Sequence, residues 1–296
     1  MLEGFLVKAK GGFYFVMGSQ GEIVRCRARG RLKEEGVHLL VGDRVEVSRR
    51  QPGDGVIERI FPRKNSLSRP SIANVDQAVV VVSLYEPPLD LHLVHRIIIA
   101  AGSAGLSSIL CFNKLDLVTS AGEMSRLTKL ETVFVACGYT VVRTSSLTGE
   151  GLAMLREHLK GKTSVLAGPS GAGKSTLLNR LKPDLDLKSA TLSRKTGRGR
   201  HTTRHVELVS LDKDTLVADT PGFQRLDMVR IPLRKLASLF PEMLIWEGKC
   251  RFNGCLHHHE PACAVKDAVQ KEQIAPWRYE MYIAFLEEIN RQESVY

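Results

Sequence analysis

The chain has no stretch of about 20 apolar residues, which excludes a helix that spans a bilayer. Met1–Lys8 also lacks an apolar run long enough for a secretory signal, so a soluble, cytoplasmic protein with no membrane partner is expected. Cysteine is scarce at 6 in 296 residues, too few for a disulfide framework. Three of these, Cys26, Cys111 and Cys137, stand singly among apolar neighbours and read as core filler. Acidic residues are in deficit, 32 against 42 Lys and Arg. Residues 1–70 hold 14 basic and 8 acidic side chains, whereas residues 228–296 hold 9 of each. Positive charge gathered at one end favours a polyanionic partner, for which phosphate backbones are the usual candidate.

Against these absences stand three short signatures. Gly168, Pro169, Ser170, Gly171, Ala172, Gly173, Lys174 and Ser175 fit the phosphate-loop pattern, and Thr176 follows them. An apolar strand, Ser164–Ala167, precedes the loop and a helix over Lys174–Leu181 follows it. Loop amides and a helix N-terminus then face a polyphosphate, Lys174 neutralises β and γ oxygens, and Ser175 holds Mg²⁺. Asp219, Thr220, Pro221 and Gly222 follow the buried-strand pattern Thr215–Ala218. There Asp219 suits Mg²⁺ through a water and the Gly222 amide suits the γ-phosphate. Asn113, Lys114, Leu115 and Asp116 end another strand, Ser108–Phe112. A carboxylate at Asp116 can accept from both N1 and N2 of guanine, which adenine does not offer. Ser145 and Ser146 end the strand Thr140–Arg143 and would support the base through backbone amides.

The order of the signatures is unusual: base recognition comes first, then the phosphate loop, then the second switch. That order predicts a circularly permuted α/β domain. Strand and helix alternate accordingly: strand Val75–Leu84, helix Leu91–Ala101, strand Ser108–Phe112, helix Met124–Cys137, strand Thr140–Arg143, helix Leu152–Leu159. Between the phosphate loop and Asp219, residues 188–205 carry six basic side chains, two glycines and no acid, as a first switch would. Thr202 or Thr203 is expected to touch Mg²⁺ and the γ-phosphate. The residue after Gly222 is Phe223, where many GTPases place the glutamine that orients water. His201 is the candidate replacement.

Residues 1–60 read as five short strands, Phe5–Lys8, Phe13–Val16, Ile23–Arg27, Arg44–Val47 and Val56–Ile60, separated by Gly-rich turns. This predicts a small OB-type barrel. Arg25, Arg27, Arg29 and Arg31 alternate with Cys26, Ala28 and Gly30, so an extended segment would point all four to one face, suited to RNA. Residues 61–74 read as a connector without regular structure. Near the end, Cys250, Cys255, His257 and Cys263 offer three thiolates and an imidazole within 14 positions, a donor set for tetrahedral structural zinc. His258 or His259 could take the place of His257. Leu233, Leu236, Ala237 and Phe240, and then Trp277, Met281, Phe285 and Ile289, recur at helical spacing and read as core.

The permuted order, Phe223 after Asp219–Gly222, the run Gly199–Thr203 and the Cys-Cys-His-Cys knuckle together resemble the RsgA (YjeQ/YloQ) family, over essentially the whole chain. The resemblance implies an OB-fold over 1–66, a permuted GTPase domain over 67–227 and a mainly helical zinc-binding domain over 228–296. It also implies a monomer that uses Mg²⁺ with GTP and binds the 30S ribosomal subunit and its 16S rRNA. GTP hydrolysis stimulated by that subunit would serve its late maturation. Ser146 departs from the alanine common in such relatives.

Overall fold

The computed structural model describes residues 1–183, 206–219 and 231–293, apart from residues 35, 37, 52 and 69. Alternating apolar side chains build the first unit. β1 (Leu2–Lys10), β2 (Phe13–Gly18), β3 (Ile23–Ala28), β4 (Arg44–Gln51) and β5 (Asp54–Ile60) close into a barrel of order β1-β2-β3-β5-β4. All neighbours are antiparallel except β3 and β5. Leu6, Val16, Cys26, Val45, Val47 and Ile57 fill its interior. A short helix, α1 (Gly30–Glu34), separates β3 from β4. This is the OB arrangement expected.

Two expectations for this part are corrected. Arg31 does not continue the extended segment: β3 ends at Ala28 and Arg31 lies on α1, because Gly30 releases the chain from the strand. The supposed connector contains a hairpin of β6 (Ser66–Ser68) and β7 (Ser71–Ala73), with Ile72 and Ala73 fully buried. Strands of three residues are too short to show a period. They are held by pairings distant in sequence, such as the Ala73 amide on Val41 O at 2.8 Å. Asn65 and Asn74 close the base of the hairpin through side-chain bonds to Val75 and Gly42.

The central unit is a six-stranded sheet of order β10-β9-β8-β11-β13-β12. Its elements in chain order are β8 (Gln77–Val82), α2 (Leu91–Ser103), β9 (Ser107–Phe112), α3 (Ala121–Ala136), β10 (Thr140–Arg143), α4 (Leu152–Leu159), β11 (Thr163–Ala167), α5 (Lys174–Leu181), β12 (Leu208–Asp212) and β13 (Thr215–Asp219). Every pairing is parallel except β12 with β13. β8 and β11 are buried along their whole length, as parallel strands covered on both faces must be. α3 begins three residues before the expected Met124 because Ser120 and Glu123 form a reciprocal capping box.

The last unit is helical: α6 (Leu233–Leu236), a 3₁₀ turn (Ala237–Leu239), α7 (Pro241–Leu244), α8 (Ala264–Gln270) and α9 (Pro276–Glu293). Leu236, Phe240, Met243, Val265, Tyr282, Phe285 and Ile289 form its core together with Ile99 of α2. Trp277 instead packs edge-on to Phe134 of α3 and His95 of α2. The expected apolar stripe of α9 thus divides between its own unit and the sheet's helices. Burial pushes the Cys26 thiol up to about 11 and those of Cys111 and Cys137 up to about 12, in keeping with unreactive core cysteines.

Candidate functional site

The carboxyl ends of β9, β10, β11 and β13 lie along one edge of the sheet, where open parallel sheets bind ligands. β11 feeds residues 168–175, and α5 starts at Lys174. Two glycines are demanded by the space available. A Cβ on Gly168, at φ +130°, would stand 2.0 Å from Val81 O, and one on Gly173, at φ +93°, would stand 2.4 Å from Asn113 Nδ2. The loop is thereby pressed against both β8 and the end of β9. Lys174 Nζ donates to Gly168 O at 2.8 Å and Pro169 O at 2.7 Å. Its ammonium therefore sits within the loop, where phosphate oxygens would replace those carbonyls.

Asn113 joins this loop to the opposite side of the site. Its Nδ2 donates to Ala172 O at 2.9 Å, while its Oδ1 accepts from Thr144 Oγ1 at 3.0 Å and from Ser146. Lys114 adopts a left-handed conformation, φ 62°, and starts a 3₁₀ turn that presents Asp116. Asp116 Oδ1 accepts a hydrogen bond from Ser145 Oγ, and Ser145 Oγ accepts from the Thr148 amide at 3.1 Å. The carboxylate is fixed by a donor from the neighbouring loop and is half-buried, so its position is set before any base arrives.

Asp219 is placed by register: it ends β13 opposite Leu166 of β11, two positions before Gly168. Asn113, Lys114, Asp116, Ser145, Ser146, residues 168–176 and Asp219 are thus brought to one edge. His201, Thr202, Thr203 and Gly222 lie outside the described residues. Sequence reasoning missed Arg180 of α5, whose Nε donates to Ser146 O at 2.8 Å and whose guanidinium also reaches Leu147 O. An arginine in the last turn of a helix carries no signal that distinguishes it from a solvated side chain. It also left Thr144 without a side-chain role.

A second cluster lies in the helical unit. His257 Nδ1 is 3.5 Å from Cys250 Sγ and 3.3 Å from Cys263 Sγ, the two sulfurs are 3.8 Å apart, and the donor atoms of these three and Cys255 all lie within 4.8 Å of one another. A tetrahedral ion with bonds of about 2.3 Å to sulfur and about 2.0 Å to nitrogen requires edges of about 3.8 and 3.5 Å. The set fits one zinc ion. His257 is the imidazole of the cluster, whereas the His258 and His259 rings lie against each other at a tilt of 33°, with centroids 3.5 Å apart. Glu260 holds the loop by accepting from the Leu256 and His258 amides at 2.7 and 2.9 Å. Tyr279 and Tyr282 of α9 donate to His257 O and Leu256 O at 2.7 and 2.6 Å.

On the barrel, Arg25 and Arg27 project from β3 over the ring of Phe13, at 5.2 and 4.9 Å from its centroid. Arg25 is also paired with Asp54 through two bonds of 2.8 and 3.0 Å, and Arg29 with Glu58 at 2.5 Å. Hydrogen bonding to Arg25 holds the Asp54 carboxyl below its usual range. Part of the basic face is therefore neutralised in place, and Arg27 is exposed beside the half-buried Phe13.

The family described as RsgA GTPase matches residues 60–229, and that described as RsgA N-terminal domain matches residues 3–57. The Small ribosomal subunit biogenesis GTPase RsgA of Moorella thermoacetica is 44% identical over 99% of both chains, and that of Geobacillus thermodenitrificans is 42% identical over 100% of both. Two solved structures superpose over nearly the whole length at 35% identity. YloQ, described as a circularly permuted GTPase, gives a TM-score of 0.84 over 99% of this chain and 96% of its own. YjeQ from Thermotoga maritima gives 0.85 over 97% and 98%.

Proposed function

Because this chain belongs to the RsgA family of circularly permuted GTPases, we propose that it is a monomeric, cytoplasmic, Mg²⁺-dependent GTPase of small-subunit biogenesis. It binds the 30S subunit through 16S rRNA and hydrolyses GTP to GDP and phosphate when that subunit is bound. The single observation that carries the nucleotide site is the buried bond from Asn113 Nδ2 to Ala172 O. It joins a base-recognition loop to a phosphate loop that lies 59 positions away in sequence, as one nucleoside triphosphate requires. The proposed units are 1–66 for RNA, 67–227 for nucleotide and 228–296 for zinc.

In this reading Asp116 accepts the N1 and N2 protons of guanine, the amides of residues 145–146 support the base, and residues 168–176 cradle the phosphates. Lys174 exchanges the carbonyls of Gly168 and Pro169 for β and γ oxygens. Ser175, Thr202 or Thr203, and Asp219 would hold a Mg²⁺ ion, which would screen the phosphate charge, while the Gly222 amide meets the γ-phosphate. His201 orients the attacking water. With Phe223 in place of a glutamine, turnover is slow until the subunit orders His201 or adds a group. Groups supplied by partners to other GTPases are worth roughly 10³ to 10⁵ in rate. Arg25, Arg27 and Arg29 contribute phosphate contacts, and Cys250, Cys255, His257 and Cys263 would hold a zinc ion in the helical unit.

The test is GTP turnover by the full chain alone, with 30S subunits and with 50S subunits. A large increase with 30S only is expected, and equal rates in all three would remove the activation. His201→Ala with unchanged stimulated turnover would remove only the histidine.

A further inference from the structure

Asn113 Oδ1 is approached by three donors: Thr144 Oγ1 at 3.0 Å, Ser146 Oγ at 3.0 Å and the Ser146 amide at 3.2 Å. A carbonyl oxygen offers two lone pairs, so one donor is surplus. The longest contact belongs to the amide. The carboxamide cannot turn to relieve the crowding, because its Nδ2 is committed to Ala172 O at 2.9 Å. Asn113, Thr144 and Ser146 are all buried. Thr144 Oγ1 lies 3.2 Å from Cys111 Sγ, whose thiol can donate to it and leave the Thr144 proton for Asn113. Arg180 holds Ser146 from the other side through Ser146 O at 2.8 Å.

We propose that Ser146 is a positioning residue for base recognition: its hydroxyl satisfies Asn113 and so releases its own backbone amide to donate to the 6-oxygen of a guanine base. With alanine at this position the amide would be the second donor to Asn113 Oδ1. Giving it to a base would then strip a buried acceptor of one partner, which costs on the order of a hydrogen bond. Serine removes that conflict, and Asn113 keeps its link to the phosphate loop in both the empty and the loaded protein. The inference rests on the reading of residues 113–116 and 145–146 as base-recognition loops.

Equilibrium binding of GDP, 6-thio-GDP, IDP and ADP to the full-length protein and to its Ser146→Ala variant, with Mg²⁺, tests it. Sulfur at position 6 is a weaker acceptor than oxygen, whereas IDP keeps the oxygen and lacks the 2-amino group that faces Asp116. Ser146→Ala is expected to weaken GDP and IDP by the same factor, about fivefold for one hydrogen bond. It is expected to weaken 6-thio-GDP by less than about twofold on the same basis, so the preference for oxygen over sulfur narrows. An equal loss for GDP, IDP and 6-thio-GDP would mark a merely structural hydroxyl and overturn the proposal, as would no change in any of them. Wild-type protein that takes ADP as readily as GDP would overturn the base-loop reading itself.

Discussion

His95 and Arg278 stand 183 positions apart in the chain, yet Arg278 Nη1 donates to His95 Nε2 at 2.5 Å. Arg278, 1% exposed, also gives Nε and Nη2 to the Glu242 carboxylate at 2.6 and 2.9 Å. Its guanidinium lies 5.1 to 5.9 Å from the ring centroids of Phe134, Tyr139, Phe240 and Trp277. Burial opposes that charge, and the Glu242 carboxylate outweighs the opposition. The other ring nitrogen of His95 donates to Leu91 O at 2.5 Å. Burial first, and the Arg278 charge second, depress the His95 pKa to about 3, so the ring is neutral. A group whose folded pKa lies below its unfolded value stabilises fully above the unfolded value, near 6.5. That contribution is lost as pH falls towards about 3. His95→Gln keeps a donor and an acceptor but does not titrate. Thermal melts at about pH 7.5 and about pH 5 should show wild type losing more stability than the variant, and equal losses would clear His95 of the effect. No pattern in the sequence marks this pair, because its partners lie on different elements. Asn113 and Lys174 were legible because their neighbours in sequence define the loops that hold them.

Among the elements, α9 carries two duties along its length. Trp277 enters the interface with α2 and α3, while Tyr279 and Tyr282 clamp the backbone of the cysteine loop. That loop has no helix or strand of its own between α7 and α8, so a bound metal ion would add to the support it takes from Glu260, Tyr279 and Tyr282. Cys255→Ser is expected to destabilise the zinc-loaded protein by about 4 kcal/mol, the scale of a lost metal. Denaturation followed alongside released zinc would check this, and full zinc content with an unchanged midpoint would refute it. The cluster of Cys250, Cys255, His257 and Cys263 was legible because the spacing of such donors is itself the signal. The β6–β7 hairpin was not, since its burial comes from Val41 and Gly42, far back in the chain. Arg31 was misplaced for a related reason: alternation in sequence persists after the strand that would give it meaning has ended.

Across the whole molecule, one apolar cluster runs without a break from the barrel to the sheet. Leu6, Val16 and Ile57 belong to it, as do Ile72, Val80, Leu110 and Val165. The barrel and the central unit should therefore unfold in a single cooperative transition. Scanning calorimetry of the full chain checks this: one peak for the two units is expected, and a separate early peak abolished by substitution within the barrel interior would contradict it. A further seam lies at β12, where Lys8 of β1 forms a bridge with Glu207 together with a 2.8 Å ion pair. β12 is the last strand of the sheet, and an outermost strand with unpaired amides invites another chain to add to it. By leaning on that margin, the barrel also acts as a bumper that keeps neighbouring molecules from zipping onto the sheet.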